Sequence, residues 1–133
     1  MDAPEVPVRV GLVVADARMR GALRAVVGSC RDLRVELEAD TTTEALELVR
    51  AMPVDVVVVD MPSVVLLDAV RGIRLVSEPV RILALGMHEG LACFALAAGA
   101  DEYLVKGSAP VVAFIRELAA EVPVRAAVSR QGG

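Results

Sequence analysis

The chain has 133 residues, a length that fits one domain and leaves little room for a second. Its net charge of −4 and its singly scattered arginines exclude the basic stripe that direct nucleic-acid binders usually carry. The acidic, proline-containing start is unlike a secretory signal, and no apolar run is long enough to span a membrane, so we expect a cytoplasmic protein.

Five short apolar runs alternate with helical patterns along the chain. The predicted strands are 8–14, 33–38, 55–60, 80–85 and 102–105; the predicted helices are 17–27, 41–52, 65–76, 88–98 and 109–121. The unbroken valines at 56–59 favour a central parallel strand, whereas the alternation in 33–38 indicates a strand near an edge. Gly28 and Gly99 are expected to end two of the helices, and Pro53 and Pro123 to stop two others.

This alternation predicts an α/β fold, a doubly wound five-stranded parallel sheet with helices on both faces. Ligands of such folds gather at the carboxyl ends of the strands, which here carry Asp16, Asp60, Gly86 and Lys106. We predict a flexible N-terminus at 1–7, the domain at 8–121 and a C-terminal tail at 122–133.

Three stretches resemble one known family: Val54-Asp55-Val56-Val57-Val58-Val59-Asp60-Met61-Pro62, Val80-Arg81-Ile82-Leu83-Ala84-Leu85-Gly86-Met87-His88, and Ala98-Gly99-Ala100-Asp101-Glu102-Tyr103-Leu104-Val105-Lys106. The chain resembles a CheY-like response-regulator receiver domain in a degenerate form. It is most similar to the receivers of the helix-turn-helix (NarL/FixJ-type) subfamily. The resemblance covers residues 8–118 and implies a flavodoxin/CheY-like sheet with the strand order 2-1-3-4-5.

The resemblance implies a place in two-component phosphorelay. Asp60 would accept a phosphoryl group from a histidine kinase, and Lys106 would pair with the phosphoryl oxygens. Gly86 and Tyr103 stand at the positions of the family's conformational switch. Asp16 and Asp60 are the candidate Mg²⁺ ligands. The resemblance implies no enzymatic catalytic residue, so we expect no enzyme activity.

The chain departs from the family pattern at three places. Val14 and Ala15 stand where the family has the acidic pair that holds Mg²⁺, so we expect magnesium to be bound poorly, if at all. Gly86 lacks the hydroxyl that would grip the phosphate. The stretch between Asp60 and the fourth strand looks about two residues short, so we expect Asp60-Met61-Pro62-Ser63 to form a tightened loop.

Each of these candidate site residues also has a purely structural interpretation. Asp60 and Lys106 can form a salt bridge that satisfies a half-buried carboxylate without any phosphorylation. Tyr103 can be ordinary packing, and His88, the only histidine, is expected at the surface.

The favoured hypothesis is a signalling receiver with a degenerate pocket, weak or no Mg²⁺-dependent phosphorylation and action through protein–protein contacts. The alternatives are an ordinary receiver phosphorylated at Asp60 and a small-molecule sensor on the same fold. We expect a histidine kinase or another signalling protein as partner, possible homodimers, and no contact with membranes. We expect no output domain after Glu121, unless the chain is a fragment of something longer, and therefore expect no direct nucleic-acid binding. The predicted contact face comprises Leu91, Phe94, Ala95, Ala98, Tyr103, Val112 and Arg116.

Overall fold

A computed structural model describes the backbone of residues 6–107 and 110–132, and the side chains of those residues as far as Glu121. Residues 1–5 of the predicted N-terminal segment and the side chains of the predicted tail lie outside this description. The elements are β1 Val8–Val14, α1 Ala17–Gly28, β2 Leu33–Ala39, α2 Thr42–Ala51, β3 Val56–Asp60, α3 Ser63–Val76, β4 Arg81–Gly86, a 3₁₀ turn Glu89–Leu91, α4 Ala92–Ala98, β5 Glu102–Val105 and α5 Val111–Gly132.

The five strands form one parallel sheet in the order β2-β1-β3-β4-β5, which confirms the predicted fold class and strand order. The four valines of β3 are completely buried, as expected for a central strand covered on both faces. β2 lies at the edge and keeps partly exposed positions. In this register Val14 of β1 pairs with Asp60 of β3, which brings the ends of the two strands together.

Each face of the sheet has its own aliphatic core. One core packs side chains of α2, α3 and α4 against the sheet, and the other packs α1 and α5 against the opposite face. Leu66 and Ile73 of α3 are fully buried in the first core, and Val27 and Ile115 are fully buried in the second. None of the helices in the described part of the chain is long and apolar enough to cross a membrane.

Three helix boundaries differ from the predictions. The fourth helix does not begin at His88, because the chain first makes a 3₁₀ turn and becomes α-helical only at Ala92. Gly99 ends this helix as predicted, with a φ of 124°. α3 begins earlier than predicted, directly after Pro62, whose fixed φ suits a helix start. α5 begins after Pro110 and its backbone stays helical past Pro123, where a proline removes one hydrogen bond without preventing the next turn.

Candidate functional site

The carboxyl ends of the strands surround a pocket of about 170 Å³. Its lining residues are Ala15, Asp16, Asp60, Met61, Pro62, Ser63, Gly86, Met87 and Lys106. The structure therefore brings together the strand-end residues that the sequence singled out, and their roles stay predictions. This placement follows from the parallel sheet, since every strand ends at the same edge.

Asp60 and Lys106 form the charged centre of the pocket. The Lys106 Nζ atom lies 2.8 Å from Asp60 Oδ1, and the Asp60 side chain is only 4% exposed. Asp60 Oδ2 is buried and has no hydrogen-bond partner among the described residues. A buried oxygen without a hydrogen-bond partner lowers the stability of the fold. Asp60 Oδ2 would therefore be stabilised by a hydrogen-bond donor or a cation.

Asp16 lines the pocket, and one of its two carboxylate oxygens is engaged by the next helix. It is the N-cap of α1, where Oδ1 accepts hydrogen bonds from the backbone N–H groups of Arg18 at 2.8 Å and Met19 at 3.3 Å. Val14, one of the two residues that the resemblance placed at the family's acidic positions, is completely buried in the core and does not line the pocket, which Ala15 and Asp16 line instead. Ala15, the other, lines the pocket and offers no side-chain oxygen.

The side chains that line the pocket offer Mg²⁺ two carboxylates, Asp60 and Asp16. Mg²⁺ requires near-octahedral oxygen ligands and is held in proteins by one or two carboxylates together with water or substrate oxygens. Asp60 Oδ2 has no partner among the described residues, and Asp16 Oδ1 caps α1, so these two side chains alone supply fewer oxygens than an octahedral ion needs. Within residues 6–107 and the described part of α5, no group of three His, Cys, Asp or Glu side chains could hold a metal ion.

The connection from β3 to α3 is short. Only Met61 and Pro62 separate Asp60 from the first residue of the helix. The Pro62 carbonyl accepts hydrogen bonds from the N–H groups of Val65 and Leu66, both at 2.9 Å, so this loop is tied into the first turn of α3. The early start of α3 agrees with the shortened loop expected from the sequence.

Gly86 and Tyr103 are in contact, as neighbours on adjacent strands. Tyr103 is 9% exposed, and its hydroxyl donates a hydrogen bond to the carbonyl oxygen of His88 at 2.6 Å. Burial raises the pKa of Tyr103 above its ordinary value. The His88 side chain is exposed as predicted, but its carbonyl was not anticipated as a partner, because residue type says nothing about which backbone oxygen a side chain will reach.

The predicted contact face is only partly at the surface. Ala95, Ala98 and Tyr103 are buried, whereas Phe94 is 59% exposed. Arg116 forms a two-pronged ion pair with Asp32, with Nε–Oδ2 at 2.8 Å. The exposed apolar side chains of this region, Met87, Phe94 and Leu96, surround the 3₁₀ turn and α4.

Known proteins resemble this chain in sequence and fold. Response regulator UvrY of Escherichia coli O6:H1 is 34% identical over 117 residues, which cover 84% of this chain and 54% of that protein. The crystal structure of a LuxR-family two-component response regulator from Aurantimonas sp. SI85-9A1 is 31% identical with a TM-score of 0.78, over 86% of each chain. A chain in the crystal structure of the P1 domain of CheA3 in complex with CheY6 from R. sphaeroides is 25% identical with a TM-score of 0.72, over 86% of this chain and 98% of that one.

No protein-family model matches the chain. The chain spans about half the length of the curated relatives it matches.

Proposed function

Because this chain belongs to the receiver domains of two-component response regulators, we propose that it is a degenerate receiver that acts through contacts with other proteins. In this proposal, Mg²⁺-dependent phosphorylation of Asp60 is weak or absent. The observation that carries the proposal is the direct pairing of Asp60 with Lys106 in a pocket where Ala15 supplies no metal ligand.

The charges in the pocket support the proposal that phosphorylation is weak. Phosphoryl transfer depends on positioning the donor and neutralising the charge that develops on its oxygens, usually by a cation together with a metal ion. Lys106 is the cation of this pocket, and it already compensates Asp60 Oδ1. An incoming phosphoryl group would have to compete for that ammonium without a bound metal. The Asp60–Lys106 pair then has a structural function, and no enzymatic turnover is part of this proposal.

Surface features support protein partners. Met87, Phe94 and Leu96 expose apolar side chains near the pocket and along α4, and such side chains are common in protein contacts. The solved complex of CheY6 with the P1 domain of CheA3 contains a similar chain, which supports a histidine kinase or another signalling protein as partner. The proposal leaves a homodimer as a second form of contact. It includes no direct contact with nucleic acid, in keeping with the net charge of −4.

The proposal is tested by incubating the protein with acetyl phosphate, with and without MgCl₂, and recording intact mass. We expect no Mg²⁺-dependent phosphoryl adduct on the wild-type chain. The Asp60→Asn variant is the matched control, because it removes the acceptor oxygen and keeps the size of the side chain. An adduct that requires Mg²⁺ and disappears in Asp60→Asn would show an ordinary phosphorylated receiver and overturn the proposal.

A neighbouring pocket favours a small-molecule sensor as the second candidate. It measures about 380 Å³, reaches the start of α2 at Thr41, and shares Ala15, Met61 and Pro62 with the first pocket. Together the two pockets reach the size typical of small-molecule sites, about 300–1,000 Å³. Thermal-shift screening of small organic ligands tests this candidate. A stabilising ligand whose effect is lost in Ala15→Leu, which fills the shared wall, would support it, and the absence of any such ligand would reject it.

A further inference from the structure

The Tyr103 ring lies on the same face of the sheet as position 86. Tyr103 pairs with Ala84 in the β4–β5 register, so Gly86 is two residues further along the neighbouring strand. Residues 84 and 86 are two apart on β4 and therefore face the same side of the sheet as the Tyr103 ring. The ring therefore extends over the backbone of Gly86.

The absence of a side chain at position 86 makes this placement possible. A Cβ atom added to Gly86 would lie 2.9 Å from both Cε1 and Cζ of Tyr103, and closer still to its hydroxyl oxygen. Real Cβ atoms essentially never come so close to another heavy atom, so any other residue at this position would force the ring to move. The ring is rigid beyond its two side-chain torsions, and it therefore cannot yield by bending its end.

Two further contacts hold the ring. The hydroxyl donates to the His88 carbonyl at 2.6 Å, which ties β5 to the loop after β4. The ring also belongs to the core that α4 covers, together with Ala84, Ala95 and Ala98. With glycine at position 86, no side-chain atom of that residue links the Asp60 pocket to the ring.

We propose that Gly86 is the positioning residue that fixes Tyr103 in this buried site, and that the position of the ring does not depend on the state of Asp60. The surface formed by β5 and the loop at His88 then has one arrangement, whether or not the pocket is occupied. The inference depends on neither a phosphoryl donor nor a metal ion, so it can fail or succeed independently of the proposed function.

Tyr103 can be observed selectively, because it is the only tyrosine and the chain has no tryptophan. The experiment measures acrylamide quenching of tyrosine fluorescence at neutral pH, and the ultraviolet titration of the phenol, in the wild-type chain, Gly86→Ser and Gly90→Ser. We expect weak quenching and a titration above the ordinary value of about 10 in the wild-type chain. In Gly86→Ser we expect stronger acrylamide quenching and a phenol titration closer to the ordinary value. Gly90→Ser is the matched control and should behave as wild type, because a Cβ at Gly90 meets nothing within 4 Å.

Further variants keep the inference falsifiable. If far-ultraviolet circular dichroism shows that Gly86→Ser does not fold, Gly86→Ala introduces only the Cβ atom and should still expose the ring. Asp60→Asn changes the charge of the pocket and should leave Tyr103 quenching at the wild-type value. A protected ring in Gly86→Ser or Gly86→Ala would overturn the positioning claim, and altered quenching in Asp60→Asn would overturn the claim of independence.

Discussion

Asp60 is almost completely buried, yet only one of its carboxylate oxygens has a partner among the described residues. Its charge is balanced by Lys106, whose side chain is 31% exposed and therefore still in contact with solvent. A buried charge that loses its partner is strongly destabilising, whereas removing both charges costs much less. At the residue scale, the stability of the pocket depends on this pair.

Replacing Lys106 by Met should lower the free energy of unfolding by about 2 kcal/mol, because Asp60 is left buried without its counter-charge, while the partial exposure of Lys106 moderates the loss. The double variant Asp60→Asn/Lys106→Met should recover part of this loss. Urea unfolding followed by circular dichroism measures both. A Lys106→Met variant as stable as wild type would show that the pair contributes nothing to the fold.

At the scale of elements, Arg74 joins the end of α3 to the turn before β5. Its guanidinium donates to the carbonyl oxygens of Val80 at 2.7 Å and Gly99 at 2.9 Å, and to Asp101 Oδ2 at 2.8 Å. Gly99 has a φ of 124°, a conformation that residues with a side chain rarely adopt. The end of α4 is therefore held from both sides, by its own glycine and by an arginine from α3.

Gly99→Ala should destabilise the fold by about 1–3 kcal/mol, because the added methyl group is strained at this φ. The new Cβ would also lie 3.0 Å from Arg74 Cβ. Gly90→Ala is the matched control: nothing lies within 4 Å of its added Cβ. It should change stability by less than about 1 kcal/mol, since Gly90 needs no positive φ. Thermal and urea unfolding compare the two. Equal stabilities of both variants would contradict the strain at Gly99.

A second connection joins the beginnings of β1 and β3. Arg9 donates to Asp55 through Nε at 3.1 Å and Nη2 at 3.0 Å, and its backbone N–H donates to the same carboxylate at 2.8 Å. Burial of Asp55 acts to raise its pKa, but these hydrogen bonds outweigh burial and hold the pKa below its ordinary value. Because the folded-state pKa is depressed, the pair stabilises the fold above the pKa of the unfolded carboxyl, and this contribution is lost as the pH falls through the folded-state pKa.

Asp55→Asn should therefore cost about 1–2 kcal/mol at neutral pH, the size expected for hydrogen bonds to a charged group. The difference from wild type should shrink as the pH falls below about 4, where the unfolded carboxyl begins to be protonated. Urea unfolding of both chains across the acidic range measures it. A difference that stays constant down to pH values well below that point would rule out the ionised pair as its source.

At the scale of the whole molecule, the sequence predicted the architecture well, because buried parallel strands produce recognisable valine runs and the turns carry glycine and proline. The strand order came from the family resemblance rather than from periodicity. The residues of the pocket could be predicted since parallel strands end at one edge. The Tyr103–Gly86 packing could not, because it depends on side-chain torsions that leave no pattern along the chain. The capping function of Asp16 was not predicted, although an aspartate directly before a helix is a recognisable N-cap signal.

The central proposal is that this pocket does not bind magnesium with useful affinity, and a calorimetric titration of MgCl₂ tests it most directly. The wild-type chain should show no saturable binding. Ala15→Asp should gain it, because residue 15 lines the pocket with Asp16 and Asp60 and would add a third carboxylate. Saturable binding by the wild-type chain that disappears in Asp60→Asn would contradict the account.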